Sequence, residues 1–235
     1  MKALILAAGM GTRLAPITDN YPKCMTEVVN GVTIIEQQIA SLLENDIKDI
    51  SVVVGYKSDI LIPYLQRIYK DIKIIENKDY QNTNNMYSAY LGYENLKDSD
   101  FIMMNADVFF DSSVLKNLIE DENYDAIVTD IGTWNEESMK VVEKKGKLVQ
   151  ISKQIDEKDA LGCSIDVYKF SALIGKKFFD KCSYYIYDKN ERNLWSEVAL
   201  NDILKVCEFK ANKLNGRWYE IDTHEDLAKA RMLFK

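Results

Sequence analysis

The sequence predicts an α/β fold: a doubly wound, mostly parallel, Rossmann-like sheet with a small β-hairpin and helical appendage. Three observations lead there. The chain opens on a continuously apolar run, Lys2–Ala7, of the kind buried on both faces of a parallel sheet. A glycine loop, Gly9-Met10-Gly11, follows at once. Over the first half, β-type apolar runs then alternate regularly with helical patterns, an order that implies parallel strands joined by right-handed crossovers. At 235 residues the chain reads as one domain, 1–235, long enough to bury a full core.

The elements follow in order. Thr33-Ile34-Ile35-Glu36 has the Thr-x-x-Glu form of a capping box and starts a helix over 34–45. Residues 50–54 give the next strand, Ser58 or Asp59 caps a helix reaching about residue 69, and 72–76 give a third strand. A helix over 84–96, a strand over 100–105, a helix over 112–120 and a strand over 125–129 continue the rhythm. It then breaks. Residues 139–151, split by Lys144-Lys145-Gly146-Lys147, read as a hairpin, and 161–168 as a further strand. Helices over 171–181 and 193–206, strands over 208–214 and 217–221, and a helix capped by Thr223 complete the order.

Composition narrows the function. Hydrophobic residues at 47% and charged residues at 29% are the balance of a globular protein. The net charge of −7 is spread along the chain with no basic stripe, which argues against nucleic acid as a partner. Cys24, Cys163, Cys182 and Cys207 lie far apart in no ligand pattern and read as reduced, packed thiols. The apolar start is too short to span a membrane, so no membrane partner is expected and a cytoplasmic enzyme is. With His224 as the one histidine, most histidine-based chemistries drop out.

The stretch from Leu6 through Ala8, Gly9, Gly11 and Thr12 to Arg13 places two glycines at the carboxyl end of the first strand, where open α/β sheets bind ligands. Glycine lets backbone N–H groups approach phosphate oxygens closely. The spacing fits neither the dinucleotide fingerprint nor a Walker A loop. By itself Gly-x-Gly is equally a plain strand-to-helix turn; the cations behind it, Arg13 and Lys23, favour a polyphosphate.

A second group is acidic. Residues 101–107 form a buried strand ending in Ala106-Asp107, which sets a carboxylate at the same sheet edge, where Mg²⁺ is commonly held between carboxylates and phosphates. Glu220 and Asp222 share a face where a strand meets the final helix, although Asp222 or Thr223 can equally be its cap. In 84–88, Asn85 is suited to reading a base edge or a substrate hydroxyl, and Asn84 to capping the next helix. Among second-half aromatics, Trp134 and Tyr187 with Asp188 suit a cationic head group; core packing or a homodimer surface is the alternative.

Gly9-Met10-Gly11-Thr12-Arg13-Leu14, then Pro16, Thr18, Pro22-Lys23 and Val29-Asn30-Gly31, closely resembles the signature of the sugar-phosphate nucleotidylyltransferase superfamily. The resemblance implies the nucleotide-diphospho-sugar transferase type of fold and a glycine loop that binds a triphosphate. It implies Arg13 and Lys23 on the phosphates, Asp107 and Asp222 as Mg²⁺ ligands with Glu220 beside them, and Lys153 reaching the acceptor phosphate. Two stretches depart from the sugar-specific pattern: Cys24-Met25-Thr26-Glu27, and the region from Glu76-Asn77 to Asn84-Asn85-Met86-Tyr87-Ser88. The Asn-Asn-x-Tyr-Ser run instead resembles small cytidylyltransferases that activate phosphocholine, aminoethylphosphonate or phosphorylated amino compounds. Asn85 and Ser88 then fall on the nucleotide side, and the implied partners are CTP and a small phosphorylated acceptor.

Such a reaction needs no general base, because the attacking phosphate oxygen is already ionised; alignment and charge stabilisation suffice. A sugar-1-phosphate enzyme using CTP, UTP or dTTP is the alternative within the fold. A catalytically silent module is the alternative outside enzymes, and it has no reason to keep Arg13, Lys23, Asp107 and Asp222 together.

Overall fold

In a computed structural model the described residues are 1–122 and 125–235. Strand β1 (Lys2–Ala7) is followed by a 3-10 turn (Thr12–Leu14), helix α1 (Ile17–Asn20), a second 3-10 turn (Lys23–Met25) and a small hairpin, β2 (Glu27–Val29) and β3 (Val32–Thr33). Helix α2 (Ile34–Glu44) carries the expected capping box, with Glu36 Oε2 accepting from the Thr33 N–H at 2.9 Å. Strand β4 (Ile50–Val54), helix α3 (Ser58–Ile68) and strand β5 (Lys73–Glu76) come next. The single helix expected over 84–96 is two pieces, α4 (Asn85–Leu91) and α5 (Tyr93–Leu96). They meet at Gly92, where a Cβ would lie 2.9 Å from both δ-methyls of Leu4, so the close approach of this segment to β1 requires glycine.

Strands β6 (Phe101–Asn105) and β7 (Val108–Phe110), helix α6 (Ser113–Glu120), strand β8 (Ala126–Ile131), the hairpin β9 (Lys140–Lys144) and β10 (Lys147–Ser152), and strand β11 (Gly162–Phe170) make up the middle. Helix α7 (Ala172–Ser183) runs into a π-helical turn (Tyr184–Asp188); α8 (Ser196–Leu204), β12 (Lys210–Lys213), β13 (Trp218–Glu220) and α9 (His224–Leu233) follow.

The main sheet runs β5-β4-β1-β6-β11-β9-β10, with β8 beside β11 and β12 beside β8. From β5 to β6 it is parallel, and the chain reverses direction of build between β1 and β6. That switch point opens a crevice at the carboxyl ends of both strands. The other half departs from the expected continuation. Strand β11 returns antiparallel against β6 and takes the next place, so β8 joins β11 antiparallel instead of extending the parallel block. The segment expected over 217–221 also leaves the main sheet: β13 pairs only with β7, in a two-stranded ladder.

Alternation along β1 shows why its run is apolar throughout. Ala3, Ile5 and Ala7 enter one core with Ile35 and Ile39 of α2, Leu61 and Leu65 of α3 and Leu115 of α6. Leu4 and Leu6 enter the other, with Met86 of α4, Phe178 and Phe179 of α7 and Leu200 of α8. A third cluster joins Leu14, Val28 and Ile34 to Phe109, Ile221, Leu227 and Phe234, fixing α9 beneath the glycine loop. The four cysteines are free. Among the described residues no helix is long and apolar enough to cross a membrane.

Candidate active site

The crevice at the switch point is a cavity of about 380 Å³. The glycine loop forms one wall. Gly11 sits at φ 60°, in the left-handed region, and a Cβ there would lie 2.8 Å from Cβ of Lys23. Glycine is therefore required twice over, by backbone conformation and by contact. A Cβ added at Gly9 would meet nothing within 4 Å; the open side of this residue faces the cavity it lines. Thr18 Oγ1 donates to the Gly11 carbonyl at 3.0 Å and pins the loop. His224 Nε2, 2.7 Å from the Ala15 carbonyl, ties α9 to the same loop and takes no place in the cavity lining.

Opposite stand the carboxylates. Asp107 follows β6 in a tight turn bracketed by Gln38, whose buried Nε2 donates to the carbonyls of Asn105 and Val108, each at 2.9 Å. Register between β7 and β13 sets Glu220 across from Val108, and the Ile221 N–H donates to the Asp107 carbonyl at 2.9 Å. The ladder thereby brings Asp222 beside Asp107. Thr223 and Asp226 cap α9 by a capping box of their own, which leaves the Asp222 side chain free of that task. One oxygen from each of Asp107, Glu220 and Asp222 lies within 4.8 Å of the others.

Two cations lock onto this trio. Lys23 Nζ donates to Asp107 Oδ2 at 3.0 Å and to Asp222 Oδ1 at 2.5 Å, and Arg13 Nη2 lies 2.7 Å from Asp222 Oδ2. Burial pulls the Lys23 ammonium down, but Asp107 and Asp222 outweigh it and hold it above the usual lysine range. Burial likewise works against ionised Asp222, yet Lys23 and Arg13 keep it below the carboxylate range. For Glu220 the balance goes the other way: burial, then the charges of Asp107, Asp166 and Asp222, outweigh Lys23 and push it up to about 9. Asp107 Oδ1 is buried without a partner. An oxygen-only donor set, one orphaned carboxylate oxygen and a carboxyl group that ionises poorly without added positive charge suit a hard divalent cation.

Of the residues expected on the nucleotide side, Leu6, Ala8, Thr12, Asn85, Ser88 and Ala106 all line the cavity. Of the two roles weighed for the asparagine pair, the cap is formed. Asn84 Oδ1 accepts from the Asn85 N–H at 2.9 Å as the cap of α4, while Asn85 accepts from the Ser196 N–H at 2.8 Å and keeps its amide NH₂ for the cavity. Buried Asn77, not singled out from the sequence, donates to Ser88 Oγ at 3.1 Å and to Thr83 Oγ1 at 3.0 Å, which fixes Ser88.

Lys153 lines the far side, its ammonium over the Trp195 ring at 5.4 Å from the centroid. The structure does not bring Trp134, Tyr187 and Asp188 to the cavity. Trp134 donates from Nε1 to the Ile155 carbonyl at 3.2 Å and covers the ammonium of buried Lys140, so its ring face is already occupied. Tyr187 packs edge-on against Tyr90 in the exposed π-helical turn that Asp188 ends. Sequence reasoning missed Asp166 and Glu197, which line the cavity together with Trp195, one of the second-half aromatics. A signal existed for Glu197: its spacing to Leu200 and Leu204 puts it on the apolar face of α8.

With this geometry in hand, a profile described as nucleotidyl transferase matches residues 2–163. The chain belongs to that family. It is 30% identical over 249 residues to the CTP:phosphoglutamine cytidylyltransferase of Campylobacter jejuni, covering 97% of this chain and 98% of the relative. It is 39% identical over 240 residues to the choline-phosphate cytidylyltransferase of Streptococcus pneumoniae, covering 100% and 99%. Among solved structures, the CTP:phosphocholine cytidylyltransferase of Streptococcus pneumoniae superimposes with a TM-score of 0.82 at 27% identity, covering 100% of this chain and 99% of that one. The fold expected from the sequence is that of these nucleotidyltransferases, and the chain is a nucleotidyltransferase enzyme.

Proposed function

We propose that this nucleotidyltransferase moves CMP from CTP to a small phosphorylated or phosphonate acceptor bearing nitrogen, with Mg²⁺ as its cofactor, and that it works in the cytoplasm. The observation that carries the reading is the joint between the glycine loop and the carboxylate trio, where Lys23 and Arg13 meet Asp107 and Asp222. Full-length similarity to two CTP-using enzymes supports the nucleotide.

In the reaction an acceptor phosphate oxygen forms a bond to the α-phosphorus of CTP as the bond from that phosphorus to the bridging oxygen breaks, and pyrophosphate leaves. Loop N–H groups and Arg13 hold the triphosphate; Lys23, released from its acidic partners by the incoming anions, faces the charge that develops on the phosphorane. Asp107, Glu220 and Asp222 would hold Mg²⁺, which would supply positive charge against the phosphates. Lys153 orients the acceptor phosphate. The test is pyrophosphate release with each nucleoside triphosphate against phosphocholine, aminoethylphosphonate, phosphorylated amino acids and sugar 1-phosphates, with Mg²⁺ and with a chelator. Release confined to UTP or dTTP with sugar 1-phosphates would replace this reading by the sugar enzyme.

A further inference from the structure

The acceptor side holds a polar cluster that neither the phosphate loop nor the carboxylate trio uses. Glu197 of α8 is 4% exposed and lines the cavity. Its Oε1 lies 2.9 Å from the Tyr168 hydroxyl, while its Oε2 is buried with no hydrogen-bond partner. The same hydroxyl lies 2.9 Å from Oδ1 of Asp166, whose Oδ2 accepts from Asn105 Nδ2 at 2.9 Å. A phenol has one proton and donates it to only one of these carboxyl groups. With both carboxyl groups ionised the cluster is short of donors, and a buried carboxylate oxygen left without one is unfavourable.

Among the described residues none supplies the missing hydrogen to Oε2. The Lys153 ammonium rests over Trp195, and its charge acts on Glu197 without a direct ion pair among the described residues. The rings that line the cavity are Tyr80 and Trp195, fewer than the box a fully alkylated ammonium prefers, and Lys153 covers Trp195. The cavity therefore holds both cations, Lys23 and Lys153, and the buried acceptors Asp166 and Glu197 in its lining.

We propose that Glu197, assisted by Asp166, selects an acceptor whose cationic nitrogen carries N–H hydrogens, a primary or secondary ammonium, over one whose nitrogen is fully alkylated. The inference rests on the cytidylyltransferase reading above and names its substrate class. A primary ammonium can give one hydrogen to Glu197 Oε2 and another toward Asp166, while its positive charge offsets the buried acid; a trimethylammonium offers charge alone.

The experiment is a methylation series. Phosphoethanolamine, its N-methyl and N,N-dimethyl derivatives and phosphocholine are compared as acceptors with the wild-type enzyme at saturating CTP and Mg²⁺, following pyrophosphate. Expected is a fall in kcat/KM of roughly 10- to 100-fold across the series, as the loss of a hydrogen bond to a charged group implies. In Glu197→Gln the loss should fall on the primary amine and on acceptor KM, with CTP KM unchanged, so that the series flattens. A flat or inverted order in the wild type, or an unchanged acceptor KM in Glu197→Gln, overturns the inference while the cytidylyltransferase reading stands. No turnover of any member likewise overturns the inference, while the cytidylyltransferase reading falls only if the wider acceptor screen with CTP also releases no pyrophosphate. The wild-type series needs no variant to fold.

Discussion

The two loop glycines make separable contributions, and alanine at each should reveal them. At Gly11 an alanine must hold a left-handed backbone, which costs about 1–2 kcal/mol, and its Cβ must displace Lys23 Cβ from 2.8 Å. That neighbour is the root of a side chain and not its flexible end, so overpacking adds about 1–3 kcal/mol. The sum of roughly 2–5 kcal/mol corresponds to a Tm lower by roughly 4–20 °C for a chain of this length. Because Lys23 also joins Asp107 to Asp222, turnover should fall with stability. At Gly9 a Cβ meets nothing within 4 Å, so the same substitution should change stability by less than about 0.5 kcal/mol. Its cost appears only when phosphate must approach the backbone: losing one charge-assisted bond raises CTP KM by roughly 10- to 100-fold. Thermal denaturation of both variants without ligand, paired with CTP kinetics, checks this. A Gly11→Ala enzyme as stable as wild type, or a Gly9→Ala enzyme with normal CTP KM, would refute the reasoning.

Asp107→Asn and Asp222→Asn should each lower kcat by about 100-fold or more and weaken the Mg²⁺ dependence without loss of fold, as seen by metal titration of activity and circular dichroism. Glu220→Gln should be milder in the same titration, since water can replace one carboxylate ligand. Lys23→Ala should act mainly on kcat and Arg13→Ala on CTP KM, each by a few kcal/mol equivalents at most; steady-state kinetics unchanged in both would move the triphosphate elsewhere. Burial disfavours ionised Asp111, but three bonds from Arg217 outweigh it and hold its pKa below the usual range. Its contribution is therefore present above pH about 4 and is lost as pH falls through the lowered value, so the urea-stability gap between wild type and Asp111→Asn should close between neutral pH and pH about 2.

The glycine-loop wall of the cavity was legible because its determinants are local: two glycines after a buried strand, with Arg13 and Lys23 close behind. Asp107 was legible as a polar end to an apolar run. The reason that Asp222 stands beside it was not, because the deciding ladder is three residues long on each side and joins strands more than 100 residues apart. Asp111, just before α6, binds Arg217, a partner equally distant in sequence. Aromatic content misled because composition carries no direction. Trp134 turned to Lys140 and Tyr187 to Tyr90, whereas Trp195 and Glu197 reached the cavity from a helix whose apolar stripe looked like ordinary core.

The β7–β13 ladder has a consequence for protection against proteases. Glu220 and Asp222 are delivered by one short strand whose neighbours in the small core are α9 and the glycine-loop turn. If residues 217–235 lift away together, two of three carboxylates leave at once and Lys23 loses one of its two acidic partners. Lifting of this segment and filling of the cavity are thus linked. A ligand that binds only the seated segment holds it down, so CTP should lengthen the lifetime of the Asn215-Gly216 turn under limited digestion by a factor that grows with its concentration relative to its Kd.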